Sequence, residues 1–174
     1  GLVQQNVADV EEKVLTLLSF MLGVFLLTIY KEKLKIVKKP ILSLVPLGLL
    51  SLIIGFVPLT VDNHFIVPPL AFCMGLVTTA FGEVSGIAYN NAFMTGNIKR
   101  TMLAFGDYIR TKHTPFLREG IIFVTLLVSF VLGAVVSAYL TIFYDEKTIL
   151  GIPIMMCIFY LSMIVAKLPE KEKK

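Results

Sequence analysis

The chain reads as an all-α polytopic membrane protein: an inverted-repeat helical bundle with one amphipathic helix that does not cross. Three observations predict this. Of 174 residues, 56% are hydrophobic and only 16% charged, with a mean hydropathy of +0.84. Soluble domains carry roughly 45–50% apolar and about 25% charged residues. Apolar runs of bilayer length recur along the chain, separated by short polar links. Lysines and arginines gather on alternate links, as the positive-inside rule expects.

The first apolar run is Val14 to Tyr30, without a charge, and Tyr30 is placed as an interfacial anchor. Asp9, Glu11 and Glu12 precede it, where a cleavable signal peptide would carry a basic flank. Lys31 to Pro40 follows as a basic loop. Ile41 to Thr60 is the second span, with Pro46 and Pro58 tolerated as in other membrane helices. Asp62, Asn63 and His64 lead to the third span, Phe65 to Gly82. A longer interval reaches Arg118, Ile121 to Tyr144 is the fourth span, and Asp145-Glu146-Lys147 turns the chain into the fifth, Ile149 to Ala166. Residues 167–174 form a charged tail.

Charge sets the topology. With the Lys31–Lys39 loop in the cytoplasm and five alternating crossings, five basic residues at 31–40, five at 83–118 and four at 167–174 lie inside. Only Lys13 and Lys147 lie outside. Letting Ala88 to Arg110 cross would move Arg110, Lys112, Arg118 and the tail lysines outside, so that stretch is expected not to cross. The net charge of +4 does not indicate nucleic acid, since the lysine run holds no aromatic on which bases could stack.

Two segments repeat. Leu17-Leu18-Ser19-Phe20-Met21-Leu22-Gly23 matches Leu127-Val128-Ser129-Phe130-Val131-Leu132-Gly133, and Leu42 to Pro46 matches Leu150 to Pro153. The two copies run in opposite directions across the bilayer, the inverted plan of many secondary transporters. The first repeat is expected to end in residues 1–60 and the second to occupy 61–166. The first copy lacks a counterpart for the span 65–82 and the interval after it. With Gly1 where a methionine would stand, a longer natural protein of six spans is expected, the alternative being a naturally asymmetric one. Gly23, Gly75 and Gly133 are small residues at which helices can approach closely. Cys73 and Cys157 lie inside apolar runs as small hydrophobes. No catalytic or metal-binding spacing appears, so no enzyme activity, cofactor or metal is expected.

From Met94 onward, Met94, Ile98, Met102, Phe105 and Ile109 fall at helical spacing on one face, with Lys99, Arg100, Asp107 and Arg110 off it. Asn97 and Thr101 share another face. Asn90, Asn91 or Thr95 can cap the helix, and Gly96 allows close backbone approach. At Met74-Gly75-Leu76, Gly86-Ile87, Met94-Thr95-Gly96-Asn97 and the Ser-Phe-x-Leu-Gly helix, the chain resembles the YoaK family of bacterial multispanning membrane proteins, catalogued as a domain of unknown function. Family members often carry Gln-Asn after Met-Gly-Leu, where this chain has Val77-Thr78. The resemblance implies a multi-pass protein of the bacterial inner membrane, duplicated around the Met-Thr-Gly-Asn signature, and the charge count puts its C-terminus in the cytoplasm.

Two readings of residues 88–110 stand. In one, Asn90, Asn91, Thr95, Gly96 and Asn97 line a polar site at the repeat interface that binds or transports a small polar or anionic solute. In the other, the helix lies in the cytoplasmic interface with Lys99 and Arg100 near headgroups. Thr95, Gly96 and Asn97 then pack helices in a non-transporting scaffold or partner-binding protein. The lipid bilayer, such a solute and a further copy of the chain are the partners these readings allow. Glu83 reads as a solvated carboxylate, and Thr78 and Thr79 as bonded back to their own helix.

Overall fold

The structure is a computed structural model that describes residues 2–30, 33, 40–58, 60–84, 86–89 and 94–171. It is α-helical apart from one short hairpin: α1 (Leu2–Tyr30), α2 (Leu44–Ile54, after a 3-10 turn Pro40–Ser43), α3 (Asn63–Ala80), β1 (Glu83–Val84), β2 (Ile87–Ala88), α4 (Met94–Thr111), α5 (Thr114–Tyr144) and α6 (Gly151–Lys171, after a 3-10 turn Asp145–Leu150). Among the described residues, three stretches are long and apolar enough to cross a membrane: Val10–Tyr30, Asn63–Ala80 and Thr114–Met163. The last, at 50 residues, is more than twice the length of about 20 that one crossing needs. The basic loop, apart from Lys33 and Pro40, and the last three residues of the tail lie outside the described residues, while α6 carries its helix to Lys171.

The chain divides into two compact units, residues 1–80 with 144–174 and residues 81–143. In the first unit, α1 and α3 are parallel. The imidazole of His64 lies 3.9 Å from Glu12 at one end. Eleven residues along each helix, a Cβ built on Gly23 would stand 3.3 Å from the Cα of Gly75. Such a Cβ would also overlap the carbonyl of Phe72, and one on Gly75 would overlap that of Phe20. The two backbones therefore touch, which only glycine permits at this crossing.

Parallel packing has a consequence for α2. From the level of Glu12 to Tyr30, α1 rises about 27 Å, so residues 31–62 must carry the chain back over that distance to begin α3. The apolar run expected at 41–60 is α-helical only over Leu44–Ile54, about 16 Å. Pro58 explains the early stop. It has no N–H to offer the Ile54 carbonyl, and it pushes Val57 out of the helical region. The 3-10 turn before α2 adds roughly 8 Å. Ser51, fully buried, donates its hydroxyl to the Leu47 carbonyl at 2.7 Å.

Asp62 caps α3, accepting the His64 N–H at 3.0 Å. Thr79 donates to its own helix at Gly75 (2.9 Å), as expected. Thr78 does not: its hydroxyl is buried without a partner among the described residues.

Candidate functional site

The second unit holds the stretch on which the sequence concentrates its polar signature. It opens with a hairpin that hydrophobic periodicity does not announce. Glu83 pairs with Ala88 and Val84 with Ile87, and Gly86 takes a φ of 79° in the turn. That left-handed angle suits glycine. Beyond β2 the Tyr89 N–H donates to the Gly82 carbonyl at 3.0 Å, and burial pushes the Tyr89 phenol up from its ordinary value. Glu83 is exposed.

The helix α4 turns its polar Asn97–Thr101 face inward. The buried face carries Asn97 and Thr101, each 1% exposed, with Ala104. Of the apolar stripe, Ile98 is 47%, Met102 63% and Ile109 68% exposed, while Met94 and Phe105 are half-buried. Local bonds accompany this burial. The Thr101 hydroxyl donates to the Asn97 carbonyl at 2.8 Å, and the Asn97 amide reaches the Met94 sulfur at 3.4 Å.

Arg100 ties the unit together. Its guanidinium donates to the Ala88 carbonyl on β2. It lies 3.6 Å from the Glu119 carboxylate on α5 and 5.0 Å over the ring of the fully buried Phe123. One side chain thus fastens β2, α4 and α5, using the fork geometry and aromatic stacking of a guanidinium. The same two helices meet where Gly120 faces the ring of Phe105. Between them Arg100, Asp107, Phe116 and Glu119 help line a cleft of ≈120 Å³, room for about four waters. At the end of α4, Lys112 adopts a φ of 56° and donates its N–H to the Tyr108 carbonyl at 2.8 Å, a left-handed helix stop. The chain then enters α5 through His113.

The expected solute residues are not gathered on one face. Thr95, Gly96 and Asn97 all fall inside the first turns of α4, where successive residues point about 100° apart. Asn97 turns inward while Thr95 and Gly96 are exposed. Asn90 and Asn91 lie outside the described residues. Of the three expected packing glycines, Gly23 and Gly75 meet at the α1–α3 crossing, whereas a Cβ on Gly133 would meet nothing within 4 Å. The repeated motif is therefore seated in α1 and open in α5. One of the two sequence readings puts Arg100 near headgroups, and neither gives Glu119 or Phe123 a role. Their pairing spans 19 and 23 residues and has no periodic signature. The Ser85-Gly86 dipeptide, by contrast, is a turn signal that could have marked the hairpin.

A second polar cluster lies in the first unit, where His64 sits between Glu12 and Asp62 (3.4 Å). His64 helps line a ≈530 Å³ cleft together with Ser19, Pro68 and Phe72.

Long apolar helices, a glycine-seated crossing and a helix with its polar face inward together define a helical membrane protein. The chain belongs to the family described as Protein of unknown function (DUF1275), which matches residues 1–163. No curated protein and no solved structure matches it.

Proposed function

We propose that the chain is a multi-pass protein of the bacterial inner membrane, allied to the YoaK proteins, with its C-terminus in the cytoplasm. It binds and moves a small polar or anionic solute, and its two inverted repeats supply the alternating architecture. The observation that supports this reading is the orientation of α4. Asn97 and Thr101 are withdrawn from the surface while Ile98, Met102 and Ile109 are left on it. That arrangement suits a protein with lipid outside and polar groups organised within. The first turn of α4 carries no acidic residue, so its positive end is not neutralised locally and favours an anionic or carbonyl group. Asn97 is the proposed contact from the buried face. Asn90 and Asn91, ahead of α4, and Thr95 and Gly96, in its first turn, complete the proposed site. The reading assigns the chain no catalytic chemistry and no cofactor.

One observation favours a second reading. The Thr101 hydroxyl is already engaged by the Asn97 carbonyl, as it would be if this face only packed helices in a scaffold. A solute panel added to purified protein separates the two. Under the transport reading, one small polar or anionic compound raises the melting temperature of the wild type and fails to raise that of Asn97→Ala. If no compound shifts the wild type, the scaffold reading stands.

A further inference from the structure

We propose that the outward face of α4 is a docking surface for an anionic phospholipid leaflet. Ile98, Met102 and Ile109 enter the acyl boundary, and Lys99 and Lys112 meet the headgroups. The helix lies along the membrane surface.

The placement follows from the geometry of α4. At about 100° per residue, Ile98, Met102 and Ile109 lie within about 40° of one another. All three are strongly exposed. Lys99 and Arg110 sit roughly 80–120° further round and are also exposed. A helix with a narrow apolar stripe and basic residues on its flank rests with the stripe about 5–10 Å into the headgroup boundary. Charge selects the occupant. The sole acidic residue of α4, Asp107, is paired with Arg110 at 2.8 Å, so Lys99 and Lys112 leave this side net positive. A neutral protein surface would satisfy the stripe and leave those charges unanswered, whereas anionic headgroups answer both.

The structure also narrows which cations take part. Arg100, next to Lys99, is turned away to the Ala88 carbonyl, Glu119 and the Phe123 ring. It holds the unit together and is not a headgroup contact. The proposal takes up the interfacial placement that the sequence also allows, stands on exposure and charge, and leaves the inward Asn97–Thr101 face free to serve a solute or to pack helices.

The test uses the full chain in lipid nanodiscs, where both leaflets are open to water. Met102→Cys is introduced beside Cys157→Ser, leaving Cys73, which is buried, as an internal sign of unfolding. The rate of labelling by a charged maleimide is compared between phosphatidylcholine discs and discs that also contain phosphatidylglycerol. The expected result is labelling at least about fivefold slower in the anionic discs. Each charge removed in Lys99→Gln and Lys112→Gln restores about fivefold, up to the zwitterionic rate, and added salt does the same. Lys99→Arg with Lys112→Arg keeps the slow rate, which separates charge from folding. Equal rates in the two lipids would overturn the proposal. So would protection that follows the number of protein copies per disc and not lipid charge.

Discussion

Thr101 is a polar side chain that the fold buries without penalty, because its hydroxyl finds the Asn97 carbonyl one turn away. Thr101→Val keeps the shape and removes that bond. It should lower stability by about 1 kcal/mol, read as a lower denaturation midpoint in detergent. No change would show that the bond is idle. Arg100→Lys keeps the charge but cannot reach Ala88, Glu119 and Phe123 together, and should cost about 1–2 kcal/mol. Asp62 gives a pH dependence with a definite sign. The His64 backbone N–H holds its carboxyl below the ordinary carboxylate value. Because the folded value is the lower one, the cap contributes fully above about pH 4, where the unfolded carboxyl titrates, and is lost as pH falls through the folded value. Between about pH 6 and pH 3, the wild type should therefore lose melting temperature more steeply than Asp62→Asn, which caps without titrating. Parallel curves would contradict the assignment.

Elements were legible in the sequence in proportion to how far they obey one periodicity. The apolar runs announced α1, α3, α5 and α6, and the interval 94–111 declared itself helical by its spacing. Their ends were less legible. Charged residues such as Glu11 and Arg118 end an apolar run but not a helix, so α1 and α5 both begin before the runs do. Pro58 ends α2 by geometry while the apolar run continues. The two faces of α4 were legible as faces, but the spacing alone does not say which of them turns inward. In lipid the stripe can be the outer face, and the polar Asn97–Thr101 face the inner. The α1–α3 crossing yields the sharpest element-scale expectation. Gly23→Val or Gly75→Val places side-chain atoms in the opposing backbone and should cost about 1–3 kcal/mol. The same change at Gly133, with open space around it, should cost under about 0.5 kcal/mol in a monomer.

For the whole molecule, parallel α1 and α3 give the charge-derived topology a physical frame. If both cross, residues 31–62 must cross between them, however short α2 is. Cysteines at Lys33 and Asp62 should therefore label from opposite sides of the membrane, with Lys112→Cys on the side of Lys33. Lys33 and Asp62 labelling together would break the topology. The candidate site was less legible than the fold. The sequence pointed to the right stretch, but a helix starting at Met94 spreads Thr95, Gly96 and Asn97 over three faces, and the Arg100 tether depends on partners far along the chain. The central claim, that the buried polar face of α4 serves a solute, meets its most direct test in uptake. Cells expressing wild type and Asn97→Ala at matched membrane abundance are compared across a panel of small polar and anionic solutes. The account predicts that uptake of at least one solute falls in the variant while abundance and melting temperature hold. Equal uptake of every solute would contradict it.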